Sequence, residues 1–158
     1  MNIREFVESK DFDNCITLFL NVFNREPWND NWSIEGAKQY LADYIHTPGF
    51  RGYIAEDDGV VQGFILGFRK RWWEGDEFYI NEMCVQVDGQ RRGIGTQLMK
   101  HVEHDLICNG IRNITLLTNR GIPAEKFYIK NGFQVIERLI FLHKRIENSS
   151  GVGGQDEQ

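Results

Sequence analysis

The run Gln90, Arg91, Arg92, Gly93, Ile94, Gly95, Thr96 has the residue types of a phosphate-binding turn. Two glycines let the backbone pass close to a ligand, and amides at the start of a following helix would point outward with the positive end of the helix dipole behind them. This is the chemistry of a pyrophosphate cradle. A dinucleotide-binding turn would need a third Gly or an Ala where Leu98 stands, and a P-loop would need Gly-Lys-Ser/Thr, which is absent. A second chemical signal is Glu82, a carboxylate inside the strand-like run Ile80-Asn81-Glu82-Met83-Cys84-Val85. Such a carboxylate is either a proton acceptor, or paired with an arginine across the sheet, or turned to a wet edge.

The elements needed to position these groups can be read on either side. Ile94, Leu98, Val102 and Leu106 recur every four residues and predict an amphipathic helix, while Phe78 to Val87 is apolar on both sides, as a central strand is. Upstream, Ile3 to Val7 predicts a strand. Asp11 caps a helix through Cys15, Ile16, Phe19, Leu20 and Phe23 that ends near Arg25, and Ser33 caps a second through Ala37, Tyr40, Leu41 and Tyr44. Phe50 to Glu56 and Val60 to Trp72 form a hairpin around Asp57-Asp58-Gly59, and Glu74-Gly75-Asp76 makes the next turn. Downstream, Ile114 to Leu117 is a parallel strand, Pro123 opens a helix that Gly132 closes, and Phe133 to Arg145 gives two last strands. By composition and order this is an α/β chain, expected as one domain over residues 1–147 with a disordered Ser/Gly/Gln-rich tail over 148–158.

The pattern Gln/Arg-x-x-Gly-x-Gly/Ala, followed by Ala124-Glu125-Lys126-Phe127-Tyr128-Ile129-Lys130-Asn131-Gly132-Phe133, resembles the acetyl-CoA-binding segment and the closing helix-turn of the GNAT superfamily of N-acetyltransferases. The resemblance covers nearly the whole chain. It implies a mixed, mostly antiparallel central sheet splayed between strands 4 and 5 and flanked by about four helices. It also implies acetyl-CoA as co-substrate, held along the backbone of Met83, Cys84 and Val85 and by the turn from Gln90 to Thr96, with an amide, that of Val85, facing the acetyl carbonyl. Glu82 would take the amine's proton through water, and Tyr128 would protonate the departing thiolate. Many members carry an asparagine three residues before the closing-helix alanine, contacting the cofactor, where this chain has Gly121; Asn119, two residues earlier, is the candidate to take that role.

The net charge of −5 disfavours nucleic acid as partner, and its distribution is uneven. From Glu26 to Asp58 there are seven acidic and two basic residues; from Gly89 to Lys130, seven basic and three acidic. The basic half suits a cofactor's phosphates and the acidic half a cationic amine, unless the charges are merely solvated surface. Trp28, Asp30, Trp32, Trp72, Trp73 and Glu74 are candidates to bind that amine through aromatic faces and carboxylates, with hairpin packing the alternative for the tryptophans. No apolar stretch predicts a membrane span or an export signal, so a cytoplasmic protein is expected. Cys15, Cys84 and Cys108 predict neither disulfides nor a zinc site. His101 and His104 lack a third ligand, so no metal is expected. Cys84 lacks an adjacent activating group for a nucleophilic role. The expected function is N-acetyl transfer to a primary amine of a small cationic molecule, aminoglycoside- or polyamine-like, by direct attack in a ternary complex. A protein or peptide acceptor, or a non-catalytic acyl-CoA-binding domain, is the alternative; a homodimer is compatible with either.

Overall fold

A computed structural model describes residues 1–88 and 92–148. Gln90, Arg91 and the expected tail beyond Asn148 lie outside the described residues. The elements are β1 (Asn2–Glu5), α1 (Glu8–Phe23), α2 (Ile34–Ile45), β2 (Phe50–Asp57), β3 (Val60–Lys70), β4 (Glu77–Val85), α3 (Ile94–Cys108), β5 (Asn113–Leu116) and α4 (Pro123–Lys130). The strands form one sheet in sequence order, antiparallel from β1 to β4 and parallel between β4 and β5. Asp58 (φ 48°) and Gly59 (φ 77°) are both left-handed, the two-residue turn whose twist matches a hairpin, and they set the β2–β3 register.

Alternation along the strands separates two core layers. Ile54, Phe64 and Leu66 face α1 and α2, packing with Phe19, Val22 and Leu41. Tyr53, Ala55 and Ile65 face α3, packing with Leu98, Met99, Val102 and Leu106. On β4 the alternation slips. Phe78 and Ile80 belong to the α3 layer, Cys84 belongs to the opposite layer, and Met83 and Val85 return to the first. The slip is a bulge: Leu66 pairs with Glu82 and the next residue, Gly67, pairs with Ile80, leaving Asn81 as an extra residue on β4. Gly67 permits it, because a Cβ there would run into the Tyr79 carbonyl and the Phe78 ring.

Three sequence expectations are corrected. The two strands expected over Phe133 to Arg145 do not form: residues 133–148 have no regular structure, and Leu139, Ile140, Phe141, Leu142 and Ile146 are all exposed. Apolar content marked them as strands, but no strand among the described residues pairs with them, so the sheet has five. Trp72 lies beyond β3 and Val87 beyond β4, both strands ending two residues earlier than expected. Asp11 lies inside α1, whose N-cap is Val7, and its carboxylate reaches back to accept from the Val7 amide at 2.7 Å. Ser33, by contrast, caps α2 as expected, its hydroxyl accepting from the Gly36 amide at 2.9 Å. Among the described residues no helix is long and apolar enough to cross a membrane.

Asp11 is 1% exposed and anchors β1 to α1 by accepting two 2.8 Å bonds from Arg4, which also donates to Glu56 on β2 at 2.8 Å. Burial alone would raise the Asp11 pKa; the Arg4 and Val7 bonds outweigh it and leave it lowered. Glu56 is held down at about 2, chiefly by its Arg4 bond. Arg4→Met should lower the unfolding free energy at pH 7 by about 3–5 kcal/mol, because a buried carboxylate loses its cation. An unchanged urea midpoint would contradict the pairing. Both carboxylates have depressed values, so the stability they supply is complete above the ordinary carboxylate range and is lost as pH falls toward about 2.

Candidate functional site

β4 and β5 pair over only four residues, Glu77–Ile80 with Asn113–Leu116. Beyond the bulge at Asn81 the two strands part, and a cavity of about 230 Å³ opens between them. Its walls are Ile80, Asn81, Glu82 and Met83 of β4, Leu116 to Asn119 at the end of β5, Ala124 and Tyr128 of α4, and Phe23, Trp28 and Tyr40 from the α1/α2 side.

Glu82 stands between these walls. The bulge turns its side chain to the α2 layer, where its Oε2 accepts from the Tyr40 hydroxyl at 2.9 Å, and Tyr40 accepts in turn from Tyr44 at 3.1 Å. Among the described residues no arginine pairs with it across the sheet. The residue is half-buried and lines the cavity. Burial therefore raises its pKa to about 7; the Tyr40 bond and the Met83 amide hold it down, and the nearby Asp30 pushes it up. Tyr128 packs edge-on between Phe127 and Phe133, each centroid 5.3 Å away. Burial first, and Glu82 second, push its pKa above the ordinary tyrosine value, so the hydroxyl keeps its proton at neutral pH.

The start of α3 has the expected backbone form. Gly93 is its N-cap at φ 72°, a conformation that favours glycine, with none of the described residues within 4 Å of the position a Cβ would take. Among the described residues no cap side chain serves the first amides of the helix, and Arg92 nearby donates to Gln62 at 3.4 Å. Gly95 answers a different need: a Cβ there would come within 3.0 Å of the Phe127 ring and 3.4 Å of Met83, so its absence lets α4 approach α3.

The cavity brings together Glu82, Tyr128, Met83, Asn119 and Trp28. Cys84 lies beneath it, fully buried; its thiol donates to the Leu18 carbonyl at 3.8 Å, and burial raises its pKa far above neutral, which unsuits it as a nucleophile. Val85 is buried in the α3 layer. Trp32 packs on Tyr40 with centroids 4.7 Å apart and donates to Asp30 at 3.2 Å, so the two brace the wall behind Tyr40. Trp72, Trp73 and Glu74 are exposed in the β3–β4 turn and line no part of the cavity. His101 packs against Tyr53, and the described residues hold no cluster of three or more metal-ligating side chains. Sequence reasoning missed Tyr40 and Tyr44 as polar partners. The signal was present in two tyrosines four residues apart on the core face of α2, where aliphatic residues would have packed without a hydroxyl to satisfy.

A model of the acetyltransferase (GNAT) family matches residues 16–133. Acetyltransferase SG1711 of Sodalis glossinidius (strain morsitans) is 28% identical over 148 residues, spanning 92% of this chain and 96% of that protein. The solved structure of aminoglycoside acetyltransferase meta-AAC0020, from an uncultured soil metagenomic sample and in complex with sisomicin, superposes with a TM-score of 0.71 at 17% identity, covering 92% of this chain and 96% of its own. That of AAC(6')-Iy with the bisubstrate analog CoA-S-monomethyl-acetylneamine gives 0.69 at 20% identity, covering 92% and 98%.

The enclosed carboxyl should burden the fold at high pH. Its folded pKa of about 7 exceeds the ordinary value of 4.5, so its contribution is most favourable below 4.5 and is lost as pH rises through about 7. Glu82→Gln, neutral at every pH, should therefore unfold at higher urea than wild type at pH 8. The gain is at most about 3 kcal/mol, less to the extent that the cavity admits solvent. The gap should close toward pH 4.5; equal midpoints at pH 8 would mean an unstrained carboxylate.

Proposed function

The chain belongs to the GNAT acetyltransferase family and is thereby an acyltransferase, and we propose that it moves the acetyl group of acetyl-CoA to a primary amine of a small cationic molecule by direct attack in a ternary complex. The observation that carries this reading is the shared cavity of Glu82 and Tyr128: a carboxyl titrating near neutrality and a hydroxyl that stays protonated line one space. Acetyl-CoA supplies an activated acyl group as a thioester. Everything else is asked of the protein.

Two features fit such a ligand. The amides at the start of α3, with open space over Gly93, suit its phosphates. The parting of β4 from β5 leaves room along Asn81 to Val85 for an extended chain to lie against the β4 backbone, with Asn119 at the opposite wall. An alkylammonium must lose a proton before its nitrogen can attack, and the Glu82 carboxylate is suited to accept it, directly or through one water. The Tyr128 hydroxyl is suited to donate a proton to the departing sulfur. Tyr40 holds Glu82 in its rotamer and moderates its pKa, so it is a positioning residue. For the acceptor, Trp28 offers an aromatic face inside the cavity, and Asp30, near enough to raise the Glu82 pKa, adds negative charge beside it. A cationic acceptor also agrees with the aminoglycoside ligands of the two structural neighbours.

Four measurements test the reading. Release of free CoA thiol should be seen with cationic amines from a panel of amines and peptides; a best acceptor that is neutral, anionic or a peptide would overturn the substrate class. Gly93→Asp should abolish acetyl-CoA binding in calorimetry while leaving the far-UV circular dichroism unchanged, and retained affinity would move the phosphate site elsewhere. For the chemistry, kcat/KM should rise with pH through about 7 as Glu82 ionises, and Glu82→Gln should remove that limb. Tyr128→Phe should lower kcat by roughly ten- to a thousandfold with little change in cofactor affinity. Wild-type kcat in that variant, with chemistry rate-limiting, would leave Tyr128 a packing residue.

A further inference from the structure

The bulge in β4 aims a second polar side chain. Ile80 faces α3, so strand alternation turns Asn81 to the opposite side of the sheet; the extra residue then repeats that direction at Glu82, which meets Tyr40 of α2. Two consecutive residues thereby present a carboxamide and a carboxyl to one cavity, beside Trp28 and Tyr40. A regular strand cannot do this, because neighbours in sequence point to opposite faces.

The two groups differ in their partners. Glu82 accepts from Tyr40, Tyr40 accepts from Tyr44, and Asp30 accepts from the Trp32 indole. The half-buried Asn81 has no side-chain hydrogen bond to any described residue. Asparagine is disfavoured in strands, and an apolar residue would fill the same place without a polar group to satisfy, so packing does not account for it. Its carboxamide is neutral, with two N–H donors and a carbonyl acceptor, and it moves no proton. It therefore complements an uncharged group that both gives and takes a hydrogen bond.

We propose that Asn81 determines which amines are accepted: its carboxamide binds a hydroxyl carried close to the reacting nitrogen, so amino alcohols are preferred over plain alkyl polyamines. This assignment presupposes acetyl transfer to an amine at Glu82, and it names the group that stands beside that amine. The spacing fits. Consecutive Cα atoms are about 3.8 Å apart, a separation that a nitrogen and an oxygen on neighbouring carbons match. With the amine at Glu82, a hydroxyl one carbon further along reaches the Asn81 amide. A substrate without it sets apolar carbon against an unsatisfied carboxamide, the mismatch by which a polar site rejects an analogue that lacks one hydroxyl.

The test uses the full chain and two probes, diaminopropane with its amines on the end carbons, with and without a hydroxyl on the middle one. The hydroxyl changes amine basicity identically for every variant, so the readout is the ratio of kcat/KM for the two diamines, measured by release of CoA thiol. Wild type should favour the hydroxylated diamine by roughly ten- to a hundredfold. Asn81→Leu should lose that preference, and so should Asn81→Ala, which guards against misfolding of the larger substitution; a merely structural role would lower both rates alike and leave the ratio in place. A wild type that does not distinguish the two diamines, or a preference that survives both substitutions, would overturn the assignment and leave acetyl transfer standing. Weaker acetyl-CoA binding by Asn81→Ala in calorimetry would also overturn it, by placing the amide on the cofactor. Thiol release with neither diamine would overturn it too, and release with no amine of any kind would take acetyl transfer with it.

Discussion

One residue too many in β4 organises the site. Because side chains alternate along a strand, the extra Asn81 reverses which face every later β4 residue serves. Without it Glu82 would follow Phe78 and Ile80 into the α3 layer, among Leu98 and Val102. With it, Glu82 turns to Tyr40 of α2, Cys84 drops beneath, and Met83 and Val85 face α3. The parallel pairing with β5 also stops at Ile80, immediately before the bulge, so the same irregularity that aims the carboxyl adjoins the space it opens on. Gly67 across the sheet is the residue that makes room for it.

The proposed chemistry follows from two environments that push two titratable groups apart. Glu82 gains hydrogen bonds from the Tyr40 hydroxyl and the Met83 amide rather than an ion pair, so burial wins and its pKa settles near neutrality, the range the proposed proton acceptor needs. Tyr128, set among aromatic rings and near that carboxyl, is driven the other way from ionisation and remains a donor. The Arg4, Asp11 and Glu56 cluster shows the contrast. There a buried carboxylate has a guanidinium in bidentate contact, its pKa falls, and it fastens β1 to α1 and β2 with no titration near neutral pH.

What the sequence disclosed was mostly local. Ser33 before α2, Asp58-Gly59 between β2 and β3, Gly93 before α3 and Pro123 at the head of α4 each act on the backbone within a few residues, so their meaning is contained there. The resemblance carried by the glycine turn and the Tyr128 segment gave the splayed sheet, which the short β4–β5 pairing shows. The bulge was hidden because it is a relation between two strands, visible only in the register of Leu66 and Gly67. Tyr40 was legible as a core position but not as a partner of a residue forty-two positions away. Trp72 and Glu74 had the right chemistry for a cationic ligand but sit on an exposed turn, and the run from Leu139 to Leu142 had the apolar content of a strand although none forms there.

The central claim is that the fold holds an enclosed, proton-accepting carboxyl at the parting of β4 and β5. Its most direct measure is the titration of the Glu82 side-chain carboxyl by carbon-13 NMR, assigned through Glu82→Gln and repeated in Tyr40→Phe. The account predicts a midpoint of about 7 in the wild type and a higher one in Tyr40→Phe, where the bond that stabilises the carboxylate is gone. A wild-type midpoint near the ordinary 4.5, unmoved by Tyr40→Phe, would contradict it.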